Sequence, residues 1–288
     1  MKMIDIHAHT TNNKLWDLHV PTATLDDLEQ AAEKYGLKRI VLMATYFPFK
    51  KGGLPNRILL ERIKNRKLFL PFGSLDAMNY FNEGVIELDE LAGKGMIAGI
   101  KLYPGYQDFD FGAKKAYPIY EIAQRYGLPV MFHSGELHSC CPKSERSKGE
   151  FKCKGRCRIK ELGDLARPGR LARIFKDFPS VIFIVSHLAN PYFEELREVM
   201  AGCRNVHTDI SGQYVSGTSE ETDTYKKEVM DEIRKFLILP DGEDRILFGS
   251  DFPIQSYANS IALITGLGLS PETEEKIFYA NAAKILKL

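Results

Sequence analysis

Short apolar runs, each closing on a polar side chain, recur along the chain and alternate with longer stretches in which apolar residues return every three or four positions. The first pattern is that of strands buried on both faces, and the second that of helices with one apolar face. Eight strands are predicted in this way: Met3–His7, Arg39–Ala44, Leu68–Ser74, Ile97–Leu102, Pro129–His133, Val181–His187, Asn205–Ile210 and Arg245–Asp251. Helical spacing falls between them, for example over Leu25–Tyr35, Ala113–Tyr126, Arg170–Phe178 and Tyr192–Met200. Tyr35-Gly36-Leu37 and Tyr126-Gly127-Leu128-Pro129 read as helix stops followed by re-entry into a strand. Repeated βα units of this number in 288 residues predict an α/β fold with a single (β/α)8 TIM barrel, one domain spanning residues 1–288.

One stretch breaks the pattern. From Leu137 to Arg158, after the fifth strand, Cys, Lys, Ser and Gly replace apolar residues, which reads as a Cys-rich insertion in a loop on the catalytic face. Elsewhere the composition is that of a globular chain with a large core, at 44% hydrophobic residues. The 39 Lys and Arg nearly cancel the 38 Asp and Glu, so no bulk field draws the chain to nucleic acid or to an anionic membrane. The opening Met1-Lys2-Met3-Ile4 runs directly into a strand pattern, and no apolar stretch approaches the roughly 20 residues that cross a bilayer. The expectation is a cytoplasmic protein whose partner is a small molecule; a homo-oligomer is left open.

Candidate chemistry sits at the strand ends. Alternate residues of a strand share a face, so His7 and His9 point the same way, while Ile4 and Ile6 fall on the other face, suited to packing under helices. A lone His-x-His pair is a weak signal. Here His133, His187 and Asp251 also close predicted strands, and in a βα barrel all strands end on one face, where active sites are built. Five metal-competent side chains from four strands therefore converge. A buried polar cluster without a role would carry a desolvation cost, which favours a metal site.

Read in order, Ile4-Asp5-Ile6-His7-Ala8-His9, Gly99-Ile100-Lys101-Leu102-Tyr103-Pro104, His133-Ser134-Gly135-Glu136, Ser186-His187-Leu188-Ala189-Asn190-Pro191, Phe248-Gly249-Ser250-Asp251-Phe252-Pro253 and Asn281-Ala282-Ala283-Lys284 span essentially the whole chain. Together they resemble the amidohydrolase superfamily, in its amidohydrolase-related branch that includes aminocarboxymuconate-semialdehyde decarboxylase. The resemblance implies His7, His9, His133 and Asp251 as ligands of one divalent metal, with zinc expected, and His187 beside them handling protons together with Asp251. It implies two readings of Lys101: a carbamylated lysine bridging two metals, as in binuclear members, or an ordinary cation facing a substrate carboxylate. The mononuclear form is the one expected.

Glu136, three residues beyond His133, is a candidate to orient a ligand or bind substrate, against the alternative of a solvated loop-end carboxylate. Asp209, near the end of the seventh strand, reads equally as lining the site or as a cap. Phe47, Tyr103, Tyr106, Phe109, Tyr214 and Phe252 are candidate pocket walls. In the insertion, Cys140, Cys141, Cys153 and Cys157 suit a second, structural zinc; disulfide or redox use and free thiols stay open, since the spacing is not a paired Cys-x-x-Cys motif.

Four functional readings follow. The leading one is a metal-dependent hydrolase of a small carbonyl substrate, an amide, lactone or ester, using a metal-activated water, with a substrate that the basic residues would allow to be anionic. The second is a metal-dependent nonoxidative decarboxylase of an unsaturated or aromatic carboxylic acid. A third, a phosphoesterase suggested by Asp5-Ile6-His7-Ala8-His9-Thr10, is opposed by Phe248-Gly249-Ser250-Asp251-Phe252-Pro253. The fourth is a non-catalytic binding protein, because a fold does not guarantee a reaction.

Overall fold

The computed structural model describes residues 2–16, 18–46, 53–137 and 162–288. In them the strands form one parallel sheet in sequential order, β1 to β8. They are β1 (Met3–Ala8), β2 (Leu37–Met43), β3 (Phe69–Gly73), β4 (Gly99–Leu102), β5 (Val130–Phe132), β6 (Phe183–Val185), β7 (Val206–Asp209) and β8 (Ile246–Leu247). The sheet curls until its edges meet, where Ile6 N–H donates to Phe248 O at 3.0 Å and Asp251 N–H to His7 O at 2.7 Å. The result is a single, nearly closed α/β barrel. The predicted Cys-rich insertion lies outside the described residues, and with it Cys140, Cys141, Cys153, Cys157 and their zinc. Among the described residues no helix is long and apolar enough to cross a membrane.

Local sequence explains the element boundaries. The helix Leu25–Tyr35 matches its prediction because Thr24 and Asp27 form a capping box, each side chain accepting from the other's backbone N–H. It ends at Gly36, and Tyr117–Tyr126 ends at Gly127, both glycines being left-handed at φ 79° and 62°. The latter helix starts later than predicted, since Lys114–Ala116 forms a separate 3-10 turn. Several strands are shorter than predicted at their C-terminal ends. β6 stops just before His187, which leaves extended backbone for the left-handed region at φ 63°, and Asp251, four residues past the end of β8, is left-handed too, at φ 55°.

Two apolar cores divide the faces of the sheet. Ile40, Leu42, Val130, Phe132, Phe183 and Val185 face outward and pack with helix residues such as Leu28, Ile119 and Phe175. Inside, Ile4, Ile6, Val41, Met43, Phe72, Met131, Ile184 and Leu247 form a second cluster, closed by Ala282, Ala283 and Ile285 of the C-terminal helix Asn281–Leu286. Ile4 and Ile6 are thus inside the barrel, not under the helices as strict alternation predicts. The cause is a register skip: Asp5 lies opposite Ile40 but Ala8 lies opposite Leu42, so β1 holds one residue more than β2 over this step. Such a bulge lets successive residues share a face. A Cβ built on Gly249 would lie 3.2 Å from His7 Cβ and 3.4 Å from Ile6 Cγ2, which places both on the same side.

Candidate active site

Above the interior core the barrel opens into a cavity of about 370 Å3, lined by His7, His9, Lys101, His133, His187 and Asp251. All five predicted strand-end residues reach it, by different routes. The β1 bulge turns His7 inward, and His9 follows on the same side, with ring centroids 5.4 Å apart. His133 follows β5 directly, while His187 stands on the turn Ser186–Ala189 after β6 and Asp251 on the chain after β8. His187 and Asp251 take left-handed backbone, a conformation that costs a non-glycine residue about 1–3 kcal/mol and persists where the surroundings impose it.

The donor atoms close on one another. Asp251 Oδ1 lies 3.2 Å from His9 Nε2 and 3.5 Å from His7 Nε2. One donor atom from each of the three residues lies within 4.8 Å of the other two, and the same holds for His7, His187 and Asp209. His133 adjoins them, its ring centroid 5.1 Å from that of His187 and 4.7 Å from that of Tyr106. Lys101 comes up from β4, fully buried, with Nζ donating to Ser186 Oγ at 3.0 Å and standing 3.4 Å from His7 Nε2.

Behind this layer, Asp209 on β7 binds two of the histidines. Its Oδ2 is 3.1 Å from His7 Nδ1, and its Oδ1 accepts from the backbone N–H groups of His187 at 3.0 Å and Ser211 at 3.1 Å. The Ser211 hydroxyl also donates to Asp209 Oδ1 in a short contact. His187 Nδ1 is 3.1 Å from Ser211 O, so a proton on Nδ1 would leave Nε2 as the basic nitrogen.

Burial sets the charge states. It pushes His7 down to about 3, assisted by the Lys101 ammonium and opposed by Asp209, and lowers His187 as well. Lys101 is pushed down to about 8 by burial, against the pull of the Asp209 and Asp251 carboxylates. Burial would raise Asp251, but the His9 hydrogen bond and the nearby histidines hold it well below the ordinary carboxylate range. Asp209 is likewise held down by His7 and His187 despite its burial. Burial therefore favours neutral imidazoles at His7 and His187, while Asp209 and Asp251 are kept ionised.

Other predicted residues part company with this cluster. Glu136 is exposed and lines a neighbouring cavity of about 300 Å3 with Ser134, Asn190, Gln213 and Tyr225, a space that shares His187 with the first. Tyr103 and Tyr106 are walls of the main cavity, but Phe109, Tyr214 and Phe252 belong to the outer core, where Phe109 stacks on Phe81 and Phe252 on Tyr257. Phe47 lies outside the described residues. Sequence reading passed over Arg62, which lines the main cavity from the helix Asn56–Ile63, and Ser211. It also passed over Gly212, whose absent side chain leaves room for His187 and Asp251. Arg62 lies on a helix away from any strand end, and Ser211 and Gly212, just past the seventh strand, carry no metal-competent side chain.

A family model described as amidohydrolase matches residues 4–288. The chain belongs to the amidohydrolase family. No curated protein is detectably similar to it in sequence. Among solved structures, this amidohydrolase resembles an uncharacterised TIM-barrel protein from Bordetella bronchiseptica, with TM-score 0.71 and 18% identity over 100% of this chain and 99% of the other. It also resembles a probable 2-pyrone-4,6-dicarboxylic acid hydrolase from Acinetobacter baumannii, solved with citric acid bound (TM-score 0.68, 14% identity, 100% of both chains). A third likeness is to a dihydroxybenzoic acid decarboxylase from a Polaromonas species, solved with manganese and 2-nitroresorcinol (TM-score 0.70, 15% identity, 100% of this chain and 97% of the other). At these identities the likeness concerns the barrel.

Proposed function

We propose that this amidohydrolase is a metal-dependent hydrolase of a small carbonyl compound, an amide, lactone or ester, that carries an anionic group. The observation that carries the reading is the convergence of one donor atom each from His7, His9 and Asp251 within 4.8 Å of one another. Two imidazoles, that of His7 buried and kept neutral, together with a carboxylate kept ionised, form a donor set that binds a divalent cation, and it fits zinc as well as the manganese seen in the Polaromonas enzyme. His133, on the same cavity wall, would complete the set. A divalent ion held there would polarise a substrate carbonyl and acidify water.

The remaining roles fall to the chain's own groups. Asp209 would accept the Nδ1 proton of His7 and so present Nε2 to the cavity. Asp251 and His187 would exchange protons with the reacting atoms, His187 through Nε2 while Ser211 O holds its Nδ1 proton. Lys101 and Arg62 line the cavity against one carboxylate, Asp251, and Arg62 has no ion pair among the described residues, a balance that suits a substrate carboxylate. The same lining would receive the carboxylate that a decarboxylase removes, which keeps that chemistry as the second reading. We take residues 1–288, with the insertion at about 137–158, as one catalytic domain.

The test is the metal content of protein purified without added metal, in the wild type and in His7→Ala/His9→Ala. The double variant is expected to lose a divalent ion that the wild type holds; a wild type that holds none and takes up none would defeat the reading. Lactones and amides are then assayed against aromatic and muconate-type acids. Ring or amide opening without carbon dioxide supports the hydrolase, and carbon dioxide release supports the decarboxylase.

A further inference from the structure

Asp5 does not line the cavity, yet its fully buried side chain joins β1, which carries His7, to the chain after β8, which carries Asp251. Oδ1 accepts from His7 N–H at 3.0 Å and from Ser250 N–H at 3.1 Å, and Oδ2 accepts from Ser250 Oγ–H at 2.6 Å. Ser250 Oγ in turn accepts from Phe252 N–H at 3.0 Å. One side chain thus gathers the backbone of His7 and, on both sides of Asp251, the backbone of Ser250 and Phe252.

This is the seam where the sheet ladder does least. The bulge after Asp5 takes β1 out of register with β2, and β8 ends at Leu247, before the chain reaches Asp251. The backbone bonds that cross here, Asp251 N–H to His7 O at 2.7 Å and His9 N–H to Phe252 O at 2.8 Å, belong to an isolated bridge at Ala8 and Phe252 and not to a continuous ladder, and Asp251 itself is in left-handed backbone. The side chains concerned stand 3.5 Å apart, from His7 Nε2 to Asp251 Oδ1. A shift of either strand end along the seam would change that distance directly.

We propose that Asp5 is a positioning residue for the cation site: a clamp across the barrel seam that sets His7 against Asp251 and thereby the affinity for a divalent ion. The inference rests on the metal reading given under the proposed function. A carboxylate offers acceptors on both oxygens, whereas an asparagine in its place has one acceptor and one N–H donor group, so Asp5→Asn would have to reverse the bond with Ser250 Oγ, which already accepts from Phe252 N–H, or give up the pair of backbone bonds. Loss of an outer partner of a metal ligand typically weakens metal binding about 10–100-fold.

The experiment uses the full chain. The Mn2+ dissociation constant is measured from the free-ion electron paramagnetic resonance signal, and the melting temperature is taken in chelator, for wild type, Asp5→Asn and Ser250→Ala. Asp5→Asn is expected to bind Mn2+ at least about 10-fold more weakly, and Ser250→Ala about threefold or more. A purely structural role would lower the melting temperature in chelator and leave Mn2+ affinity within about twofold in both variants, overturning the proposal. If Asp5→Asn does not fold, Ser250→Ala decides by the same criterion. A wild type that binds no Mn2+ or Zn2+ would defeat the metal reading before any variant is made, and the clamp with it.

Discussion

At Gly212 an added Cβ would stand 2.8 Å from both Asp251 Oδ2 and His187 Nδ1, and the backbone is left-handed at φ 59°. The position therefore excludes a side chain twice over, by conformation and by the approach of two site residues. Gly212→Ala is expected to cost about 1 kcal/mol or more in backbone strain and to push His187 and Asp251 apart. We expect kcat/KM to fall at least about 10-fold, the scale of losing transition-state contacts worth about 1.4 kcal/mol. The melting temperature should fall only modestly; an active Gly212→Ala enzyme would show that the site tolerates displacement there. Single residues were readable from sequence where a strand end announced them, as with His7, His9, His133, His187 and Asp251. Asp209 was readable only as an even choice, because a cap and a histidine partner look alike until the 202 positions separating it from His7 are closed by folding.

Elements were more readable than their edges. The helix Leu25–Tyr35 was predicted to the residue from its apolar spacing and its Gly36 stop, and the Thr24–Asp27 box found in the structure is equally local. Thr24→Ala removes the side-chain acceptor for Asp27 N–H and should destabilise the fold by about 1 kcal/mol. Chemical denaturation would show this as a lower midpoint with unchanged slope, and activity should be untouched, since the helix start lies outside the cavity lining. Strand ends and the β1 bulge were not readable in this way. They depend on pairing with β2 and β8, and an extra residue in one strand leaves no mark in that strand's own apolar pattern.

At the scale of the whole molecule the barrel has a polar mouth and a closed floor. His207, inward on β7 near the floor, is pushed down to about 4 by burial, with the Arg245 guanidinium adding to the effect. Its folded value thus lies below the ordinary 6.5, so the neutral ring suits the fold. That contribution is complete above about pH 6.5 and is lost as pH falls toward 4, to a limit of about 3 kcal/mol. His207→Gln, which cannot titrate, should show a shallower loss of unfolding free energy between pH 6.5 and 4.5 than wild type; parallel curves would refute the assignment. The order of the strands, the single barrel and the side chains that meet at its mouth could be read from apolar periodicity, because period and strand-end position are properties of the chain in one dimension. The pairing of Asp5 with Ser250, the hold of Asp209 on two histidines, the inward turn of Ile6 beside His7 and the placing of Arg62 in the cavity came only with closure. Each of these depends on which distant atoms a closed sheet brings within hydrogen-bond reach, and residues 245 positions apart acquire a distance only when the barrel forms.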